Sequence, residues 1–286
     1  MSSLRDASAQ GLATRTQGLL RHLGLLRFAG PDALAFLQGQ VSNDTRLLAQ
    51  GAPILAAYSS AQGRVLAILD LLPHSSGILA IMPRELVLPV RERLSKFVLR
   101  AKVKIEDVSS QFEIAGAHDG ATLEAMIGTA APGAGRSYLE HDGSAVALAP
   151  LARTGIAAGA ESPRFWVIRP GVGMTDPARE IDADAELAWR LADIRAGVPQ
   201  VYAATSEAFV AQMLNLDLLE AISFSKGCYT GQEIIARTQH LGRIKRRMFR
   251  LELPAGPWSI GQALRLADGR SGKLVELAVA EERIEA

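Results

Sequence analysis

Lys226-Gly227-Cys228-Tyr229-Thr230-Gly231-Gln232-Glu233 is the stretch from which the rest of the chain can be read. Thr230 to Glu233 has capping-box spacing, a hydroxyl at the N-cap and a carboxylate three residues on. This predicts a following helix with Ile234, Ile235, Thr238 and Leu241 near one face. Gly242 stands where a C′ glycine ends a helix. Cys228, the single cysteine of the chain, then lies just ahead of a helix N-terminus and two residues from Lys226. Free backbone N–H groups, the helix dipole and a nearby ammonium all favour a thiolate over a thiol. Gly227 and Gly231 let the backbone turn tightly or approach a partner. On these residues alone, a reactive thiolate and a buried cysteine at a glycine-rich helix entry stand level.

The chain has 286 residues, which suits two or three modest domains. Hydrophobic residues make up 48% and charged residues 21%, a soluble globular composition. A formal net charge of +1 gives no global pull toward nucleic acid or membrane, so direct contact with either is not expected. One cysteine excludes an internal disulfide. It also excludes a zinc site or iron–sulfur cluster held by this chain's cysteines alone. A reduced compartment fits, and the cytoplasm is expected. Met1 to Thr16 lacks the apolar core of a signal peptide. The longest apolar stretch, Val65 to Met82, is interrupted by Asp70, Pro73 and His74.

Along the chain, Leu19 to Phe28 reads as a strand after a short helix. Gly30-Pro31-Asp32 opens a helix buried through Leu34, Phe36, Leu37 and Val41. Strands are predicted over Ala52–Ser59, Val65–Leu72 and Gly77–Met82, a helix over Leu86–Phe97 and a strand over Lys102–Val108. This order favours α+β over a doubly wound fold. Phe112–Ala117 is a strand, Thr122–Ile127 a short helix, and two or three strands follow, including Ala145–Leu151 and Arg164–Arg169. Ala183–Ala196 is the best-defined helix, ended by Gly197 and Pro199. Trp189 lies about 200° around it from Leu187, off the stripe of Leu187, Leu191 and Ile194. The indole therefore packs on a second domain or faces a ligand. Ser206 is predicted to cap another helix carrying Phe209, Met213 and Leu214. Phe249, Leu251 and Leu253 alternate as in a strand, after a basic run from Arg243 to Arg250 that reads as a solvated face. Short strands among turns from Pro254 to Ala286 suggest a small barrel.

Several motifs are missing. Ser271-Gly272-Lys273-Leu274 lacks the hydroxyl and first glycine of a P-loop, and no dinucleotide-binding glycine triplet follows a strand. The five histidines are scattered, and no metal site is expected. His240 falls at the far end of the helix after Cys228, which argues against a Cys–His pair.

The 226–233 stretch resembles the signature of the YgfZ-type folate-binding proteins, relatives of the glycine-cleavage T-protein (aminomethyltransferase). Phe36-Leu37-Gln38-Gly39-Gln40-Val41-Ser42-Asn43-Asp44 resembles the family's N-terminal segment, and Ser60-Ala61-Gln62-Gly63-Arg64-Val65 its second. Ile194-Arg195-Ala196-Gly197-Val198-Pro199 and Asn215-Leu216 resemble the stretches leading to the signature. Phe112 to Asp176 matches only in pattern.

The resemblance implies an α+β, three-domain clover-leaf ring. Residues 1–45 and 109–201 would form one α+β domain. Residues 46–108 and 202–242 would form a second, carrying the signature, and 243–286 a C-terminal β-barrel. Tetrahydrofolate would sit in the central hole, with Trp189 stacking on it and Arg195, Asn43 and Asp44 nearby. A second family tryptophan has no counterpart, because Leu23 of His22-Leu23-Gly24 stands there. The aminomethyltransferases carry carboxylates where this chain has Ala67 and Ile68, so aminomethyl transfer is not expected. The function implied is a folate-binding accessory protein for assembly or repair of iron–sulfur clusters in client enzymes, including tRNA-modifying ones. Cys228 would be the working thiolate, with Lys226 stabilising it and Gly227, Tyr229, Thr230, Gly231, Gln232 and Glu233 shaping the loop. A cluster bound through cysteine would be transient and shared with an iron–sulfur client or scaffold protein. The alternative is a folate-dependent one-carbon transferase with an unknown acceptor, drawing on Asp44, Asp70 or Asp193. An RNA-contacting module acting through Arg243 to Arg250 comes third.

Overall fold

The computed structural model describes residues 17–130, 138–141, 144–148, 163–171, 183–240, 244–266, 268–280 and 283–286. Strand β1 is Gln17–Leu19, and β2 is Leu23–Ala29. Helices α1 (Ala33–Gln38) and α2 (Arg46–Ala49) follow. Next come β3 (Ile54–Ser59), β4 (Val65–His74), β5 (Gly77–Pro83), α3 (Arg84–Ser95) and β6 (Lys104–Asp107). These strands form an antiparallel sheet in the order β3-β4-β5-β2-β6. The first eight residues of β4 are all buried. Helix side chains on one face and packed chain on the other remove the half-exposed alternation of an ordinary antiparallel strand. That is why Val65 to Leu72 reads as an unbroken apolar run. Leu86, Val87, Val90 and Leu94 of α3 share this core with Phe36 and Leu37 of α1.

The second sheet has the order β1-β7-β10-β9-β8, with β7 Phe112–Ala117, β8 Tyr138–His141, β9 Ser144–Leu148 and β10 Phe165–Pro170. Helix α4, Gly120–Ile127, follows β7 and is capped by the Asp119 carboxylate, which accepts the Thr122 N–H at 2.7 Å. Sheet membership thus divides the chain between β1 and β2. β2 and α1, which the resemblance grouped with 109–201, share a sheet and core with 46–108. Strand β8 brings the two or three strands expected here to three, and it is the one for which no limits were given.

Helix α5, Ala183–Ala196, matches its predicted limits. The helix predicted after Ser206 is a single 3₁₀ turn, Ala211–Leu214. Tertiary bonds outcompete it: the Ser206 hydroxyl donates to the Leu66 carbonyl at 2.9 Å, and the Glu207 N–H to the Val65 carbonyl at 2.8 Å. Helix α6 is Gln232–His240. Gly242, its expected stop, lies outside the described residues.

The C-terminal part holds β11 (Glu252–Pro254), β12 (Ala263–Arg265), β13 (Ser271–Lys273), β14 (Ala278–Ala280) and β15 (Arg283–Glu285). They form a three-stranded sheet, β11-β15-β14, and a β12-β13 hairpin. No closed barrel forms among the described residues. The strand expected through Phe249 starts only at Glu252, and Phe249 is exposed. No helix of the described residues is long and apolar enough to cross a membrane.

Candidate functional site

The signature loop is fastened to the N-terminal segment, far away in sequence. The Lys226 ammonium is buried and donates to the carbonyls of Gln38, Val41 and Asn43, each at 2.8 Å. An ammonium has three protons, so all are spent. Burial pushes its pKa down to about 8, and the Tyr229 ring lies 5.0 Å from Nζ. Tyr229 is itself buried, which pushes its hydroxyl up to about 12. The Thr230 N–H donates to the Gly39 carbonyl at 3.2 Å.

Asn43 and Ser42 complete the seam. Asn43 Nδ2 donates to the carbonyls of Leu55 and Glu220, both at 2.8 Å. The Ser42 hydroxyl donates to the Ala221 carbonyl at 2.6 Å and accepts from the Ala57 N–H at 2.8 Å. Asp44 turns outward: Arg46 holds its carboxyl down to about 2, and Gln38 Nε2 donates to it at 3.1 Å. Asn43 thus fixes backbone, and Asp44 is held by Arg46.

The second motif closes the site from the other side. Gly231 has φ +83°, and a Cβ there would lie 2.5 Å from the Ser60 carbonyl oxygen. A Cβ on Gly63 would lie 2.8 Å from Cβ of Ile234. Helix α6 and the 60–63 turn therefore meet backbone to backbone, which requires glycine at both positions. Helix α6 starts at Gln232, and Glu233 points outward to Arg237 at 3.1 Å. Thr230 is thus not its N-cap, because the left-handed Gly231 sets the helix entry instead.

Three motifs distant in sequence converge, and on this base Cys228 is exposed. Gly227 beside it is exposed too, with open space where a Cβ would be. The Lys226 ammonium gives its three protons to carbonyls, so it makes no hydrogen bond to Cys228.

Of the two readings offered for Trp189, packing and ligand contact, the structure shows packing. It is 1% exposed and packs in the core with Trp166, ring centroids 6.1 Å apart. His118 meets it edge-on at 5.4 Å, and the Arg164 guanidinium lies 4.8 Å from its centroid. A Cβ on Gly116 would collide with it. The indole is enclosed and offers no free face to a folate ring. Arg195 points the other way, pairing with Glu285 of β15 at 2.6 Å.

Around Trp189 lies a buried polar network that the sequence reading missed. Arg164 pairs with the buried Asp193 at 2.8 Å. The Tyr202 hydroxyl donates to Glu276 at 2.5 Å, and Arg190 lies 5.7 Å from the Tyr202 ring. Burial, reinforced by Asp193, pushes the Glu276 carboxyl up to about 8. Trp166 Nε1, Arg190 Nε, Gln200 Oε1 and one Glu276 carboxyl oxygen are buried without a hydrogen-bond partner. Unsatisfied donors and acceptors at such a depth are costly, and a polar heterocycle would satisfy them. These polar atoms have unused hydrogen-bonding capacity, whereas Trp189 has no free face. The network's sequence signal was the lone acid inside Leu274-Val275-Glu276-Leu277-Ala278. No group of three metal-binding side chains occurs among the described residues.

Over 238 residues the chain is 31% identical to a protein of Colwellia psychrerythraea named tRNA-modifying protein YgfZ, spanning 80% of this chain and 69% of that one. A Pectobacterium atrosepticum protein of the same name is 30% identical over 285 residues, spanning 98% of this chain and 79% of the relative. The fold is similar to that of the glycine cleavage system aminomethyltransferase T from Bartonella henselae, with a TM-score of 0.67 at 15% identity, covering 97% of this chain and 79% of that one. No family model matches the chain.

Proposed function

Since the chain belongs to the YgfZ family of tRNA-modifying proteins, we propose that it serves tRNA modification as a folate-binding accessory protein for iron–sulfur enzymes, with Cys228 as the working thiolate. The observation that carries this reading is an exposed thiol on a loop whose neighbours are pinned. Lys226 and Tyr229 are buried beneath it, while Cys228 and Gly227 face solvent. A fixed base and an open approach suit a thiolate that must meet a group held by another protein. One thiolate supplies one ligand to iron, so the partner supplies the rest. Ligand exchange forms an S–Fe bond, releases another ligand and changes no oxidation state. The cluster is cargo.

Folate would be held by the group of Arg190, Tyr202 and Glu276, with the buried Gln200 two residues before Tyr202. A reduced folate, when bound, supplies a one-carbon carrier. These residues would bind and orient the pterin: the protonated Glu276 donates or accepts, the Arg190 guanidinium donates, and burial excludes water. The positions at which the aminomethyltransferases carry carboxylates are apolar in this chain. Ala67 and Ile68 are fully buried in β4, Asp44 is paired with Arg46, and Asp193 with Arg164.

The test is complementation of a strain lacking its own copy, scored by the thiolated tRNA made by an iron–sulfur client enzyme. The wild type is expected to rescue and Cys228→Ser to fail. Full rescue by Cys228→Ser would remove the thiol from the function.

A further inference from the structure

From the end of α3 to the start of β6 the chain concentrates positive charge that is only partly neutralised. From Arg91 to Lys104 six basic residues face one acid, Glu92, in a chain of net charge +1. Two of the six are engaged: Arg93 lies against the Tyr58 hydroxyl, and Lys104 pairs with Glu106 at 2.6 Å. Lys96, Arg100 and Lys102 are exposed, and no ion pair joins them among the described residues. Lys96 caps the C-terminus of α3, where the helix dipole favours a cation. Arg100 and Lys102 lie beyond the helix, and the dipole does not account for them.

Two apolar side chains project among these cations. Phe97 is 46% exposed and Leu99 89%, the latter at φ +43°. A leucine in the left-handed region is strained, because its Cβ crowds the following carbonyl oxygen. The inward residues hold it there. Val98, Ala101 and Val103 pack on the core. The Asp32 carboxylate accepts the Lys102 N–H at 2.6 Å, and the Lys102 carbonyl accepts the Asp32 N–H at 3.4 Å. The backbone is thus fixed while the cationic heads and the aromatic ring stay free.

We propose that residues 96–102 form an RNA-binding surface, in which Lys96, Arg100 and Lys102 take backbone phosphates and Phe97 stacks on an unpaired base. Cations alone suit any polyanion, whereas a free aromatic ring beside them suits one with flat faces. The choice of RNA over other polyanions rests on the tRNA-modification reading. The surface departs from the expectation that near-neutral charge argues against nucleic acid, because the charge is local.

Fluorescence anisotropy of the full chain with a tRNA transcript and a single-stranded oligoribonucleotide, across a salt series, tests this. Lys96→Glu/Arg100→Glu/Lys102→Glu is expected to weaken binding at least about ten-fold and to flatten the salt slope by about two to three. Phe97→Ala is expected to weaken single-strand binding on the order of ten-fold without changing the slope. Lys245→Glu/Arg246→Glu, on the other basic stretch, is expected to bind as wild type does. Circular dichroism checks folding, and the single variant Arg100→Glu carries the same expectation with a smaller loss. Equal affinity of wild type and triple variant would overturn the surface. So would loss confined to the Lys245/Arg246 variant, or binding to phosphatidylserine vesicles but not to RNA. Cys228→Ser is expected to bind RNA normally and fail in complementation. Absent RNA binding with Cys228-dependent rescue intact would overturn this surface and leave the accessory function standing.

Discussion

The Lys226 ammonium donates to the Val41 carbonyl at 2.8 Å, across 185 positions of sequence. With the bonds to Gln38 and Asn43, it makes the signature loop and the N-terminal segment one structural unit. Lys226→Met keeps the stem and removes the donors, leaving three carbonyls without their partner. Bonds to a charged group and stranded acceptors together predict a loss of about 3 kcal/mol or more, partly offset because no charge is then buried. Urea unfolding of the wild type and Lys226→Met measures it. A loss within about 0.5 kcal/mol, the range of ordinary surface changes, would show that the clamp does not hold the loop.

Gly227 and Gly231 make a contrast within one loop. Alanine at Gly231 meets the Ser60 carbonyl oxygen and sits at φ +83°. Strain and overpacking predict about 2–4 kcal/mol of destabilisation. Alanine at Gly227 meets nothing within 4 Å. Gly227→Ala is therefore expected to unfold at the wild-type midpoint and still lower complementation, because its methyl occupies the approach to Cys228. Wild-type complementation by Gly227→Ala would remove the idea that a partner comes close at that point.

Much of the scaffold was legible because its signals are local. The strands β3 to β5 are apolar runs bounded by turn residues, and α5 carries its own stop at Gly197 and Pro199. The Ser206 helix was misread because local spacing cannot show that Val65 and Leu66 offer competing carbonyls. Spacing put Lys226 two residues from Cys228 but could not say that one side chain points inward and the other outward. Trp189 stood off its helix stripe for a reason composition does not disclose: a glycine, Gly116, on the neighbouring sheet makes room for it. The convergence of the 36–44, 60–65 and 226–233 segments is a tertiary fact. Only the resemblance hinted at it.

Trp189 carries a prediction that separates core from ligand platform. Trp189→Phe preserves an aromatic and removes the larger ring from an enclosed site. It is expected to cost about 1–3 kcal/mol, below the range for complete truncation. Folate affinity, measured by isothermal titration below the unfolding midpoint, is expected to change less than in Glu276→Gln or Arg190→Met. A folate affinity lost in Trp189→Phe at wild-type stability would return the indole to the binding site.

Glu276 gives the molecule a pH dependence opposite to that of most carboxylates. Its pKa rises from 4.5 to about 8 in the fold, chiefly through burial. Between these values the folded state holds a proton that the unfolded state has released. Stability therefore falls as pH rises from 4.5 toward 8 and levels off above, contributing a slope of up to about 1.4 kcal/mol per pH unit. Asp193 shares the direction, because burial also raises it, while Arg164 draws it back. Glu276→Gln cannot ionise and retains an acceptor for the Tyr202 hydroxyl. Its unfolding free energy is expected to vary less across pH 5 to 8 than that of the wild type, and to meet or exceed it at pH 8. Urea titrations at several pH values decide this. An unchanged slope in Glu276→Gln would mean that the proton resides elsewhere, and the assignment of Glu276 as a neutral partner for a bound heterocycle would fall with it.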